Sequence, residues 1–397
     1  MRPIRCHLAL VSLLGLTAGW ACAQTPVPAS APAAPAMAAP VTDVAVVRHY
    51  ADLVLAGYQD ALTGAQALQT AVQAFVAEPT AERLTAARQA WLAAREWYGQ
   101  TEAFRFYAGP IDDDEGPEGR INAWPLDESY IDAVKGKAGA GYVNDRGFVI
   151  SPASVAALNE RGGEENVSTG WHAIEFLLWG QDFYADGPGQ RVHTDFVEGG
   201  APNADRRRQA LATITELLVA DLNHLVAVWA PGAPNYRAQF ERGGQESVRK
   251  IIVGLGSLSR GELAGERMEV ALSTQDQEDE HSCFSDNTHR DVVANALGIQ
   301  NIWLGRYTRP DGRVLEGPSL RALVAARDAK VAERTTQQIA ASVAAANALQ
   351  PPFDREIVRA EGRDRVQTTI RSLVQQSKDL VDAAGVLGIT RLTLVRK

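Results

Sequence analysis

His172 and Glu175 are the residues of this 397-residue chain whose types and spacing first suggest chemistry. They lie three apart in Ser168 to Asp182, a stretch that reads as a short helix, with Ser168 or Thr169 to cap it and Gly180 to end it. At that spacing an imidazole and a carboxylate share one helix face. Their neighbours Trp171, Ile174, Phe176, Leu177, Leu178 and Trp179 leave the helix no polar side, and a helix apolar all round is normally buried. A buried carboxylate without a cation is costly. With Thr169 as cap, His172 falls in the first turn, where the helix dipole disfavours a proton on the ring; neutral imidazole is the form that ligates metals. The pair is therefore read as a metal site, with a hydrogen-bonded core pair as the plain alternative.

Two further groups have chemical potential. Gln275 to Asp291 holds Glu278, Glu280, His281, Ser285, Asp286, Asn287, Thr288, His289 and Asp291. Glu278-x-x-His281 has the spacing of ligand pairs in helical carboxylate sites, while an acidic surface turn with an N-cap at Asp286 or Asn287 is the plain alternative. These polar residues are too dense for a core and sit beside an apolar Phe284, so Ser282 to Asp291 is expected to face the His172 helix as a lid across a domain junction, where sites commonly lie. Upstream, Trp91, Arg95, Tyr98, Glu102 and Arg105 follow steps of four, three, four and three and line one helical stripe. There Glu102 is either a metal-binding carboxylate or the ion-pair partner of Arg95 or Arg105. The acid run Asp112 to Glu115 fails as an EF-hand loop, because Gly116 and Pro117 stand where further oxygen ligands are needed.

The elements that must position these residues are helical almost throughout. Asp43 to Ala77 and a second arm capped by Thr80 form a helical hairpin, and Gly109 to Gly147 is a long irregular region with a short helix from Asp127 to Lys135. Glycines and prolines from Gly187 to Pro202 suggest a boundary. Beyond it helices are expected over Asp205 to Trp229, Tyr236 to Ser273, Asn287 to Gly305, Ser319 to Leu349 and Asp354 to Ala384. The fold class is all-α, with two helical-bundle domains over residues 41–200 and 201–397. Both halves use helix, proline break, helix, which is compatible with an internal duplication.

Residues 1–23 read as a signal peptide: Arg2 and Arg5, an apolar run from Leu8 to Gly19, and Ala21-Cys22-Ala23 as a small-x-small cleavage site near Ala23. A lipid anchor at Cys22 is the alternative, disfavoured by the bulky Trp20. Residues 24–40 are an Ala/Pro-rich tether that cannot build a core. The formal charge is −9, and −11 once residues 1–23, with two arginines and no acid, are removed. Nucleic acid is excluded as a natural partner. The mature part has one cysteine, Cys283, read as a small core residue, and no apolar run of membrane-spanning length is apparent.

Taken together, these motifs resemble the imelysin-like proteins, whose hallmark Gly-x-His-x-x-Glu is present as Gly170, His172 and Glu175. The resemblance extends through Ala94 to Asp112, Ile121 to Asp132, His281 to Asp291 and Gly298 to Gly305, in the family's order. It implies an exported, two-bundle helical protein with a site near the bundle junction, in a family that carries a metallopeptidase label and includes iron-regulated proteins and relatives of periplasmic iron-uptake components. By motif, His172 and Glu175 carry over as metal-site residues, with Glu102 and Asp112 as further ligands. Gly170, Arg95, Tyr98, Arg105, Ser285, Asp286, Asn287 and Asp291 form the site region.

Two functions compete. One is a periplasmic metal-binding component of iron uptake, holding a divalent or trivalent cation, iron ahead of zinc, and handing it to a membrane-bound transport component. The other is a metallopeptidase using the same residues. No His-Glu-x-x-His is present, so the usual two-His ligand set with an interleaved general base is missing, and metal binding is favoured. A helical adaptor without metal is the third option.

Overall fold

The computed structural model of the chain describes residues 41–392. The expected signal peptide and Ala/Pro tether lie outside the described residues.

Helices α1 (Asp43–Ala77) and α2 (Ala81–Thr101) form the expected hairpin, with the Thr42 and Thr80 side chains accepting from the backbone N–H groups of Ala45 and Arg83. Val54, Tyr58, Ala61, Ala65, Leu68, Val72 and Phe75 are buried on α1, in steps of four and three that make a single stripe. Leu84, Ala87, Trp91 and Tyr98 are buried on α2. Helix α3 (Gly170–Trp179) is buried at all ten positions, as its apolar sequence requires, and contacts α2 and helix α4 (Ala204–Val228). Among the described residues α4 is long and apolar enough to cross a membrane, but here it is a bundle helix packed along α1.

A second group of helices follows. Helix α5 (Gln245–Ser257) runs on into a π-helical stretch, Leu258–Glu269, where the sequence is rich in glycine. Helices α6 (Thr288–Leu304), α7 (Ala329–Asn347) and α8 (Ala360–Val386) complete it, with α7 packed on α8 and on α6. The helix expected over Ser319 to Leu349 is split, because Asp328 caps a new start at Ala329. Strand is confined, among the described residues, to Arg306–Thr308 paired antiparallel with Val314–Glu316 around the predicted turn at Arg309 to Gly312.

The described residues form one compact unit, in which α4, on the far side of the boundary expected at residue 200, packs on α1 and α3. The glycines and prolines from Gly187 to Pro202 make a surface loop that returns the chain to its own bundle. Contacts of α2 with α6 and of α1 with α5 join the two groups of helices, and that seam holds the residues of interest.

Candidate metal centre

Gly170 opens α3 at φ +85°, and a Cβ there would stand 2.5 Å from the Ile121 carbonyl oxygen. Only glycine fits, which explains the first residue of Gly-x-His-x-x-Glu. Two residues on, His172 is 1% exposed, and Glu175 is fully buried. Their side chains meet, His172 Nδ1 to Glu175 Oε2 at 2.8 Å.

The segment before α6 closes over this pair. Ser285 donates to Glu175 Oε1 twice, from its N–H at 2.9 Å and its hydroxyl at 2.7 Å. His281 brings its Nε2 to 3.3 Å from His172 Nε2, with ring centroids 4.6 Å apart. Behind His281, Asp291 Oδ2 lies 2.8 Å from Nδ1 and also accepts from Ser282 Oγ at 2.5 Å. Asp291 Oδ1 pairs with Arg95 Nη2 at 3.0 Å, and Asn287 Nδ2 approaches it at 3.5 Å. Arg95 Nη1 donates to Asn122 Oδ1 at 2.7 Å, and its guanidinium lies against the rings of Trp91, Tyr98 and Trp171. The result is a continuous buried line of groups: Arg95, Asp291, His281, His172, Glu175, Ser285.

Their protonation follows from the surroundings. Burial opposes the charge on Asp291, but Arg95 and His281 hold it well below the usual carboxylate range, so it is ionised and accepts a hydrogen bond from the Nδ1–H of His281. Burial and the positive charge of Arg267 lower His281 to about 4, and its Nε2 lone pair therefore faces His172. Burial, with His281 and Arg95 nearby, pushes His172 well below its ordinary value. Burial raises Glu175 to about 8, although the Ser285 bonds pull the other way. At neutral pH both rings are uncharged, the state metal ligands require.

The donor set fits a metal. Two nitrogens each about 2.0–2.1 Å from a shared tetrahedral ion stand about 3.3 Å apart, the separation of the two Nε2 atoms here. His281 has an ionised carboxylate on its other nitrogen, the arrangement that orients metal-binding histidines, and Glu175 takes that role for His172 once metal binding displaces its proton.

The other expected residues divide. Glu102 Oε2 accepts from Arg105 and Arg267, each at 2.7 Å, while Oε1 is buried without a hydrogen-bond partner. Burial works against its charge, yet those two arginines hold it at about 2. Arg105 also reaches Glu118 at 2.8 Å, and Tyr98 supports the site with its ring, 5.4 Å from Trp171. The structure does not bring Asp112 to His172. Its carboxylate accepts from the backbone N–H groups of Phe106 and Gly109 and acts on Tyr50, Tyr58 and Tyr236. Asp286 points away from Glu175, as described below. His281 and Asn122 are the members that sequence reasoning did not place in the site. Glu278-x-x-His281 drew attention to the histidine but named the wrong partner, since only Gln277–Asp279 forms a helical turn there.

The iron-regulated protein A of Synechococcus elongatus is 28% identical over 339 residues, covering 83% of this chain and 82% of that protein. A crystal structure of a candidate iron-regulated protein A precursor from Parabacteroides distasonis superposes with a TM-score of 0.65 at 19% identity, covering 88% of this chain and 97% of that one, which establishes a shared fold. The family model for imelysin, peptidase M75, matches residues 54–380, and on that match the chain belongs to the imelysin family.

Proposed function

We propose that the chain is an exported metal-binding protein of iron acquisition, with His172 and His281 as nitrogen donors. The observation that carries this reading is the pair of Nε2 atoms meeting at 3.3 Å, each ring held from behind by a carboxylate. Glu175 and Asp291 orient the rings, while Glu102, neutralised by Arg105 and Arg267, supports the surrounding scaffold. Two imidazoles suit a borderline cation such as iron(II) or zinc, and a bound ion would supply Lewis acidity. Iron is favoured because the relatives are named for iron regulation. Export to the periplasm is supported by the leader-like residues 1–23 and by the Parabacteroides relative being described as a precursor, and the reading includes a membrane-bound recipient for the metal.

Metal-dependent peptide cleavage is the second reading, carried by the family's peptidase designation. Both His172 and His281 are buried, so a peptide bond would reach them only after the Ser282–Asp291 segment lifted. Metal holding needs no such opening for a substrate, and we favour it.

The test is titration of the metal-free secreted chain with iron(II) and, separately, zinc. His172→Ala and His281→Ala should each weaken binding at least tenfold, about 1.4 kcal/mol. Glu175→Gln should cost about 10–100-fold through loss of orientation. Parent-like binding by both histidine variants would reduce the cluster to a hydrogen-bonded core.

A further inference from the structure

Beyond the histidine pair, on the other side of Ser285, three aspartates from distant parts of the chain converge. Asp182 follows the end of α3, Asp286 lies in the segment before α6, and Asp354 is in the first turn of the Phe353–Val358 helix. One oxygen from each lies within 4.8 Å of the others. All are buried, at 2%, 7% and 5% exposure. Asp182 Oδ1 accepts from the Tyr184 N–H at 2.9 Å, but its Oδ2 and both oxygens of Asp286 and Asp354 have no hydrogen-bond partner.

A fourth carboxylate, Glu280, borders this group next to Asp354. Glu280 is 0% exposed, both of its oxygens lack a hydrogen-bond partner, and its strongest neighbouring charges are Asp354 and then Asp286. The cation facing the cluster is Arg355, which acts on Asp286 and Asp354 but gives its own donors to Asp186, Nε at 2.7 Å and Nη2 at 2.5 Å. Glu278, itself crowded by Glu128, Asp276 and Asp182, adds to the negative field. Four buried carboxyl groups with only scattered neutral donors, such as the Tyr184 N–H on Asp182 and Thr288 beside Glu280, are costly unless a cation or shared protons neutralise them. An open cleft of about 570 Å³ whose lining includes Asp286, Asp186 and Pro351 gives access from solvent.

We propose that Asp182, Asp286 and Asp354, with Glu280 behind Asp354 adding negative charge, bind a hard divalent cation of the calcium or manganese type, at a site separate from the histidine pair. All donors are oxygen, which selects hard cations over zinc. Two oxygens bound at about 2.3–2.6 Å on opposite sides of one calcium ion stand about 4.6–5.2 Å apart, so the observed spacing accommodates the ion. Such an ion would tie together the end of α3, the segment that closes over His172, and the Phe353–Val358 helix. The rival arrangement is protons shared within the pairs Asp182 with Asp286 and Glu280 with Asp354.

The experiment uses the full secreted chain after chelation, titrated calorimetrically with calcium and then manganese, with melting followed in parallel. The parent should bind one or both ions and melt at higher temperature in their presence. Asp286→Asn and Asp354→Asn should each lose at least tenfold in affinity and the melting response, whereas His172→Ala should keep both. Asn at either position removes charge without removing volume, so the chelated variants should fold as the parent does, and melting of the parent with and without ion needs no variant at all. A parent whose melting ignores both ions, or Asn variants that bind them as the parent does, would overturn the proposal in favour of shared protons. Because iron and zinc binding at His172 is read separately, either site can fail alone.

Discussion

Asp132 is fully buried, and two guanidinium groups meet it: Arg207 at 2.5 and 2.9 Å, and Arg191 at 2.9 Å. Asn144 and the Ala133 N–H complete its shell. Burial alone would raise its pKa, but the arginines hold it at about 2. Asp286 is also buried, but its nearest charges are Asp354 and Asp182, and it is pushed up to about 8, first by burial and then by those neighbours. The chain thus supplies its own counter-ions to one buried carboxylate and withholds them from the other, although Arg355 stands close enough to serve and binds Asp186 instead. Glu102, clamped by Arg105 and Arg267, follows the first pattern. Burial of an acid therefore does not mark a site; the source of the balancing charge does. Where that source is an arginine the group is part of the scaffold, and where it is missing the fold leaves room for an ion or a proton.

The comparison predicts its largest difference in substitution energetics. Arg207→Ala removes two of the bonds to a carboxylate that remains buried, and breaking such a pair costs about 3–5 kcal/mol. Urea unfolding of the chelated protein should show that loss, while Asp354→Asn, which relieves like-charge crowding, should leave stability equal to or above the parent's. A loss below about 1 kcal/mol for Arg207→Ala would mean that Asp132 draws little from its arginines, and the contrast would collapse.

Acid titration gives the next largest effect. Asp132 faces Arg191, Arg207, Asn144 and Tyr142, and its folded pKa of about 2 lies below the ordinary value. A depressed carboxylate contributes stability that is fully present above its unfolded pKa of about 4 and is lost as pH falls through the folded value, here on the order of 2 kcal/mol. Asp132→Asn should therefore flatten the decline in urea midpoint between about pH 4 and pH 2 relative to the parent. An unchanged slope would show that Asp132 titrates like a free aspartate.

These contrasts also mark what could be read before folding. Local patterns were legible: the caps Thr42 and Thr80, the stripe from Val54 to Phe75, and the burial of α3, whose ten residues offer no polar face except His172 and Glu175. The stripe on α2 correctly set Arg95 and Glu102 apart from a plain core, but not their partners. Arg95 reaches Asp291 across 196 positions and Glu102 reaches Arg267 across 165, and no periodicity reports such pairings. His281 was hidden for a related reason. Its spacing from Glu278 implied a shared helix face, whereas the chain turns after Asp279 and carries the ring to His172. From Gly187 to Pro202 composition shows where a helix must stop, but not that the next helix packs back on α1 and α3.

Ser285→Ala gives the smallest effect and tests whether the two candidate sites are separate. Ser285 and Asp286 are adjacent, yet the first faces Glu175 and the second faces the carboxylate cluster, with Asp286 in a left-handed conformation at φ +57°. Removing the hydroxyl leaves the backbone N–H of residue 285 on Glu175 Oε1, so one of two bonds survives and the loss should be about 1 kcal/mol. That loss should appear in the urea midpoint and as a modest, roughly threefold to tenfold, weakening of iron(II) or zinc binding, because Glu175 orients His172 less firmly. Calcium binding should not change, since Asp286 keeps its backbone and its side chain. If Ser285→Ala weakens calcium binding as much as iron binding, the segment acts as one rigid lid over a single coupled centre, and the separation drawn between the carboxylate cluster and the histidine pair fails.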